Sequence, residues 1–150
     1  MSNVPKWKRK PSDLDLFIEA QELAIHILKI TQNENIFKPM LQTSITDRLN
    51  KLAIDIYTNL WKANHYKIGS EERKTLQLLA IENCIDFLAI WNLGIRAFHL
   101  KSKKTNYVVG KIVQIRDTTK KWIKNDIDRL KEKSNDIENE AVKSLSQWFV

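Results

Sequence analysis

Apolar residues recur at three- and four-residue intervals along almost the whole chain, the period of a helix face rather than of a strand. The first such stretch runs from Asp13 to about Gln32, with Leu14, Phe17, Ile18, Ile25 and Leu28 on one stripe. Ser12 is placed to cap it, and Asp13 and Asp15 occupy the first turn, where the helix dipole favours negative charge. Gln32, Asn33 and Asn35 weaken the pattern and Pro39 breaks it. A second helix is predicted from near Met40 to about His65, through Leu41, Ile45, Leu49, Leu52, Ile56 and Leu60, with Tyr57 and Trp61 widening its face.

After Gly69, Ser70 is predicted to cap a third helix that carries Glu71 and Glu72 in its first turn. Leu76, Leu79, Ala80, Phe87, Trp91 and Phe98 form its stripe, and Leu78, Ile81, Ile85 and Leu88 crowd the flank. A helix apolar over more than half its circumference needs two partners, so it is either central in a bundle or also meets another copy. Lys101 to Lys104 reads as a loop, and Thr105 or Asn106 as the cap of a fourth helix through Val108, Ile112, Ile115, Thr119, Trp122, Ile123, Ile127 and Leu130. Val142, Leu145 and Trp148 allow a short extra helix in the last residues. Long helices with short connections imply antiparallel neighbours, so the expected fold is all-α: an antiparallel up-down-up-down four-helix bundle over residues 13–133. A basic extension (1–12) precedes it, and an acidic tail or short helix (134–150) follows.

With 150 residues the chain is the size of one domain, and its three glycines and three prolines are too few for a turn-rich sheet architecture. Charge sharpens the picture. The net charge is +7, and residues 101–124 alone hold eight basic side chains against one acid. Residues 1–12 add four more basic side chains and no acid. Arg116, Lys120 and Lys124 are spaced by four and align on one face of the fourth helix. Lys111 and Lys121 flank the same stripe, Lys101, Lys103 and Lys104 extend it from the preceding loop, and Lys6, Lys8, Arg9 and Lys10 make the N-terminal cluster. Like charges at this spacing repel, and an anionic partner relieves that repulsion, so these residues are the expected nucleic-acid-binding set. A solvated lysine face is the alternative. No helix-turn-helix, zinc-finger or RNP pattern is present, so contact through phosphates rather than base readout is expected.

Catalytic chemistry finds little support. His26, His65 and His99 fall on separate segments, no Glu-x-x-His motif occurs, and the single cysteine, Cys84, lies in the apolar middle of the third helix. The reading is of a non-enzymatic protein without metal or cofactor. No signal peptide opens the chain and no uninterrupted apolar run approaches a membrane span, so a cytoplasmic location without membrane contact is expected. Trp61, Trp91 and Trp122 lie on apolar stripes and are expected in the core or an interface, whereas Trp7 lies between Lys6 and Lys8, off any stripe.

Three phrases carry a family likeness: Lys8-Arg9-Lys10-Pro11-Ser12 with Leu14, Phe17 and Ala20-Gln21-Glu22-Leu23; Asp47-Arg48-Leu49 with Ala53-Ile54-Asp55-Ile56-Tyr57 and Ala63-Asn64; and Lys121-Trp122-Ile123-Lys124-Asn125-Asp126. Over residues 8 to 128 the chain resembles the four-helix-bundle accessory variability determinant proteins of diversity-generating retroelements, whose wider family includes proteins encoded in intervening sequences of 23S ribosomal RNA genes. The loop Asn35-Ile36-Phe37-Lys38-Pro39 departs from the family's aromatic-Pro-basic pattern, and the acidic tail lies outside the likeness. The resemblance implies a homopentamer that binds the retroelement's reverse transcriptase and its template RNA, or an RNA/DNA hybrid, and supports mutagenic cDNA synthesis. An RNA-associated bundle of the intervening-sequence type and a pure protein-interaction module are the competing readings.

Overall fold

The computed structural model describes residues 13–98 and 102–148. It holds four α-helices: α1 (Asp13–Ile30), α2 (Asp47–His65), α3 (Glu71–Phe98) and α4 (Ser102–Trp148). No strand occurs among the described residues. Each helix packs on its chain neighbours, most extensively α2 on α3, and α1 closes the ring against α4. The result is the expected all-α, up-down-up-down bundle.

The core is built at helical spacing. From α1 come Leu16, Ala20, Leu23, Ile27 and Ile30, with Phe17 and Ala24 beside them. From α2 come Leu49, Ala53, Ile56, Leu60 and Ala63, and from α3 Ala80, Cys84, Phe87 and Trp91. From α4 come Val108, Ile112, Ile115 and Trp122. The stripe expected on α1 is corrected: Ile18, Ile25 and Leu28 are exposed, and only Phe17 of the residues described there is buried. The helix carries two apolar stripes side by side, and α2 and α4 cover the one that includes its small alanines, because Ala20 and Ala24 admit closer packing. The side chains of Leu14 and Phe98, and Ser12 itself, lie outside the described residues.

The segment between α1 and α2 also differs from expectation. Pro39–Leu41 forms a 3-10 turn and Gln42–Thr46 a π-turn, and regular α2 starts only at Asp47. Leu41 and Ile45 are nonetheless buried, because a tight or wide turn preserves the helical three-to-four spacing of apolar side chains. Phe37 folds inward and meets Trp91 with ring centroids 6.0 Å apart, and Phe87 stacks on Trp91 at 5.8 Å. This loop therefore seals one end of the bundle. Thr31 fastens it, donating to the Ile27 carbonyl at 2.8 Å and lying 2.9 Å from the Asn50 side-chain oxygen.

Between α2 and α3 the chain turns at Gly69, whose φ of +91° belongs to the left-handed region. The Ser70 hydroxyl then accepts from the Arg73 backbone N–H at 3.2 Å, capping α3 as expected. No glycine or proline lies between Gly94 and Gly110, and α4 starts already at Ser102. Lys103 and Lys104 are thus in its first turn rather than in a loop, a correction to the sequence reading. At its other end α4 does not stop where the bundle does. It continues unbroken to Trp148, so the last residues extend the fourth helix instead of forming a separate one. From Ile127 to Gln147 every residue is exposed, and at ~1.5 Å per residue that stretch is ~32 Å long.

Helix α3 keeps its two-sided apolar character. Its inner face is in the core, while Leu78, Leu79, Ile85 and Leu93 are exposed. Over Glu71–Ala97 it is long and apolar enough to cross a membrane by length and composition, although no uninterrupted apolar run suggested this. Its inner face is occupied, however, by Arg73 and Gln77 as well as by Phe87 and Trp91, all buried against neighbouring helices.

Candidate nucleic-acid interface

The basic window divides once its surroundings are known. Lys111 is half-buried and its ammonium is paired with the Glu19 carboxylate of α1. Burial pulls its pKa down, but the hydrogen bond and charge of Glu19, helped by Tyr107 and Glu22, outweigh that and hold it above the ordinary lysine value. Arg116 is also half-buried and donates to the neighbouring Asp117 carboxylate at 3.2 Å. These two cations are already engaged within the protein. Lys120, Lys121 and Lys124 are exposed, and none of them is in an ion pair among the described residues. The three lie within five residues, ~6 Å of helix axis, the reach of one or two phosphates. Lys6, Lys8, Arg9, Lys10 and Lys101 lie outside the described residues, as do the side chains of Lys103 and Lys104.

The lysine ridge rests on a stiff footing. Trp122, between Lys121 and Ile123, is buried, and the Phe17 ring of α1 meets it edge-on at 5.7 Å. The Arg73 guanidinium lies over the indole at 4.6 Å. Arg73 Nε and Nη2 donate to the two oxygens of Asp126 at 2.7 and 2.9 Å, and Nη1 donates to the Tyr66 carbonyl at 3.2 Å. Gln77 Nε2 donates to Asp126 Oδ2 at 3.0 Å. This buried network ties α3, α4 and the α2–α3 turn together one helical turn from the lysines. Composition and charge runs missed it, yet Arg73 and Gln77 are in phase with Ala80 and Cys84, and Asp126 is in phase with Thr119 and Trp122. Polar residues in a core stripe were the available signal.

Trp61, expected in the core or an interface, is 51% exposed and so stands outside the core of the bundle. It sits on α2 between Tyr57 and His65, at centroid distances of 6.1 and 5.6 Å, and edge-on to Phe17 at 6.5 Å. Phe17 thus separates the exposed indole of Trp61 from the buried one of Trp122. The basic residues 1–12 join the chain at Asp13, one helical turn before Phe17. Lysine ridge, exposed aromatic and the attachment point of the N-terminal cluster therefore share one end of the bundle.

Of the remaining candidate groups, His99 lies outside the described residues. His26 packs on the Tyr107 ring at 5.0 Å, and His65 Nδ1 lies 2.8 Å from the Trp61 carbonyl. Burial pushes the Cys84 thiol up to about 12, with Arg116 opposing the shift, so no reactive thiolate forms near neutral pH. Among the described residues no three His, Cys, Asp or Glu side chains converge as a metal site.

The chain is similar in structure to a crystal structure of a protein of unknown function from the S23 ribosomal protein family of Bacteroides thetaiotaomicron. The TM-score is 0.66 at 13% sequence identity, covering 75% of this chain and 97% of that one. At that identity the likeness concerns the fold. No family model matches the chain, and none of the curated proteins matches it.

Proposed function

We propose that this chain is a non-enzymatic, nucleic-acid-binding bundle of the cytoplasm that serves a reverse transcriptase of a diversity-generating retroelement as accessory subunit. The observation that carries the reading is the ridge of Lys120, Lys121 and Lys124, three exposed cations in no ion pair among the described residues, on a helix seated by the buried Arg73–Asp126 network. Phosphate contacts of this kind position a nucleic acid without reading its sequence. Trp61 offers a face on which an unpaired base stacks, worth ~1–3 kcal/mol per base in such sites. The retroelement context rests on the resemblance of residues 8–128. So does the homopentamer, for which the exposed row of Leu78, Ile85 and Leu93 on α3 is the contact face we assign. The fold of the S23-family neighbour favours a second reading, an RNA-associated bundle of the intervening-sequence type without a polymerase partner.

Pull-down with a diversity-generating retroelement's reverse transcriptase and its template RNA separates the two. The accessory reading expects a ternary complex and cDNA made only when this chain is present. RNA capture without the enzyme supports the second reading. Capture of neither leaves a protein-interaction module and ends both.

A further inference from the structure

The overhanging half of α4 carries its own pattern. Ile127, Leu130, Ser134, Ile137, Ala141 and Ser144 follow a strict four-three spacing, the seam of a coiled coil. All are exposed, with Ile127 at 42%, Leu130 at 39% and Ile137 at 67%. A single helix in water is marginal without a packed face. The charges flanking the seam are segregated along it: Lys131 and Lys133 on the bundle side, Glu138 and Glu140 on the far side. Two copies laid antiparallel about a twofold axis between Asn135 and Asp136 bring Leu130 against Ala141, Ser134 against Ile137 and Ile127 against Ser144. In that register Lys131 faces Glu138 and Lys133 faces Glu140, each twice by symmetry. The parallel arrangement matches fewer charges, since it pairs only Lys133 with Glu138 outside the bundle, Asp126 being held by Arg73. It also sets the two lysine ridges side by side, where they repel. At the foot of the overhang Ile127, Leu130, Lys131, Ser134 and Asn135 line a shallow groove, open to receive the small Ala141 and Ser144 of the second copy.

We propose that the exposed half of α4 is an antiparallel self-pairing surface whose occupant is the same segment of a second copy. The surface is separate from the exposed face of α3 and from the lysine ridge, so the inference stands apart from the nucleic-acid reading. The pairing spans roughly 18 residues, ~27 Å of helix. The bundle already nucleates the helix, so association does not bear that cost.

The full chain is measured by light scattering across a concentration series, without nucleic acid. Two charge-reversal variants accompany it: Lys131→Glu/Lys133→Glu, and Glu138→Lys/Glu140→Lys. Circular dichroism checks that both keep native helicity. Each variant alone is expected to associate at least about tenfold more weakly, halving the mass of whatever assembly the parent forms, because like charges then face each other. An equimolar mixture of the two restores the parent mass. A spin label at Gln147→Cys reports orientation, since the buried, protonated Cys84 takes no label. Antiparallel pairing separates the labels by about 35 Å along the axis. A mass that neither variant changes, a mixture that fails to recover it, or labels within about 20 Å overturns the proposal.

Discussion

Removing the Asp126 carboxylate isolates the element that seats α4. Arg73 and Asp126 have side chains only 7% and 9% exposed, so neither is rescued by water when its partner goes. Asp126→Ala strips two charge-assisted hydrogen bonds from Arg73 and one from Gln77. The guanidinium keeps the Tyr66 carbonyl and the Trp122 face. Breaking a buried pair from one side costs about 3–5 kcal/mol, and the retained contacts put this case near ~3 kcal/mol. A domain of this size has roughly 5–15 kcal/mol in total and loses ~2–4 °C per kcal/mol, so a fall in Tm of roughly 6–12 °C is expected. Replacing the whole polar set, Arg73→Met with Gln77→Leu and Asp126→Leu, removes the buried charges together and costs much less than the single change. Urea unfolding followed by circular dichroism gives both values. A loss below about 1 kcal/mol for Asp126→Ala, or a triple variant weaker than the single one, refutes the argument.

Other outcomes follow from single positions. Gly110 lies mid-helix with open space around it, so Gly110→Ala raises stability by ~0.5–1 kcal/mol in thermal unfolding. Gly69→Ala does the reverse by ~1–2 kcal/mol, since φ is +91° and a Leu130 methyl lies 3.0 Å from the new Cβ. Trp91→Ala costs ~3–5 kcal/mol. Trp61→Ala, at 51% exposure, is expected to cost under half of that while weakening RNA binding. The Cys84 thiol ordinarily ionises near 9.0, whereas folding holds it protonated to about 12. Its contribution is therefore full below pH ~9 and is lost as pH rises from there towards the folded value, which Cys84→Ala removes from a pH series of urea midpoints. Lys111 titrates with the same sign, its pairing with Glu19 being lost only as pH climbs through its raised value.

Helix number, order and most of the α2 and α4 faces were legible because their apolar residues fall on one phase; α3 was legible as two-sided, but Leu79, read on its inner stripe, is exposed. Helix α1 was not, because Ile18, Ile25 and Leu28 are as apolar as the residues that face inward, and only the neighbours decide between two stripes. Trp61 was placed between core and interface for a related reason: spacing sets it beside Leu60, and its exposure in the bundle shows that the stripe's edge stays open there. The start of α2 was blurred because a π-turn keeps the spacing of its side chains. In the basic window, spacing showed that Arg116, Lys120 and Lys124 share a face. It did not show that Glu19, ninety-two positions before Lys111, pairs with that lysine. Partners so distant along the chain leave no local trace. The unbroken run of α4 was likewise hidden, because Ser134 interrupts the seam by composition while the backbone continues as helix.

The central claim is that Lys120, Lys121 and Lys124 form a phosphate-binding ridge, and binding of single-stranded RNA across a salt series tests it most directly. Log affinity is expected to fall linearly with log salt at about −0.7 per phosphate contacted. Lys120→Glu/Lys121→Glu/Lys124→Glu, with native helicity, is expected to bind more weakly and to reduce the slope by about 0.7–1.4 units, the share of the one or two phosphates within reach. Equal affinity and slope in parent and variant, or no binding by either at ~0.15 M salt, contradicts the account.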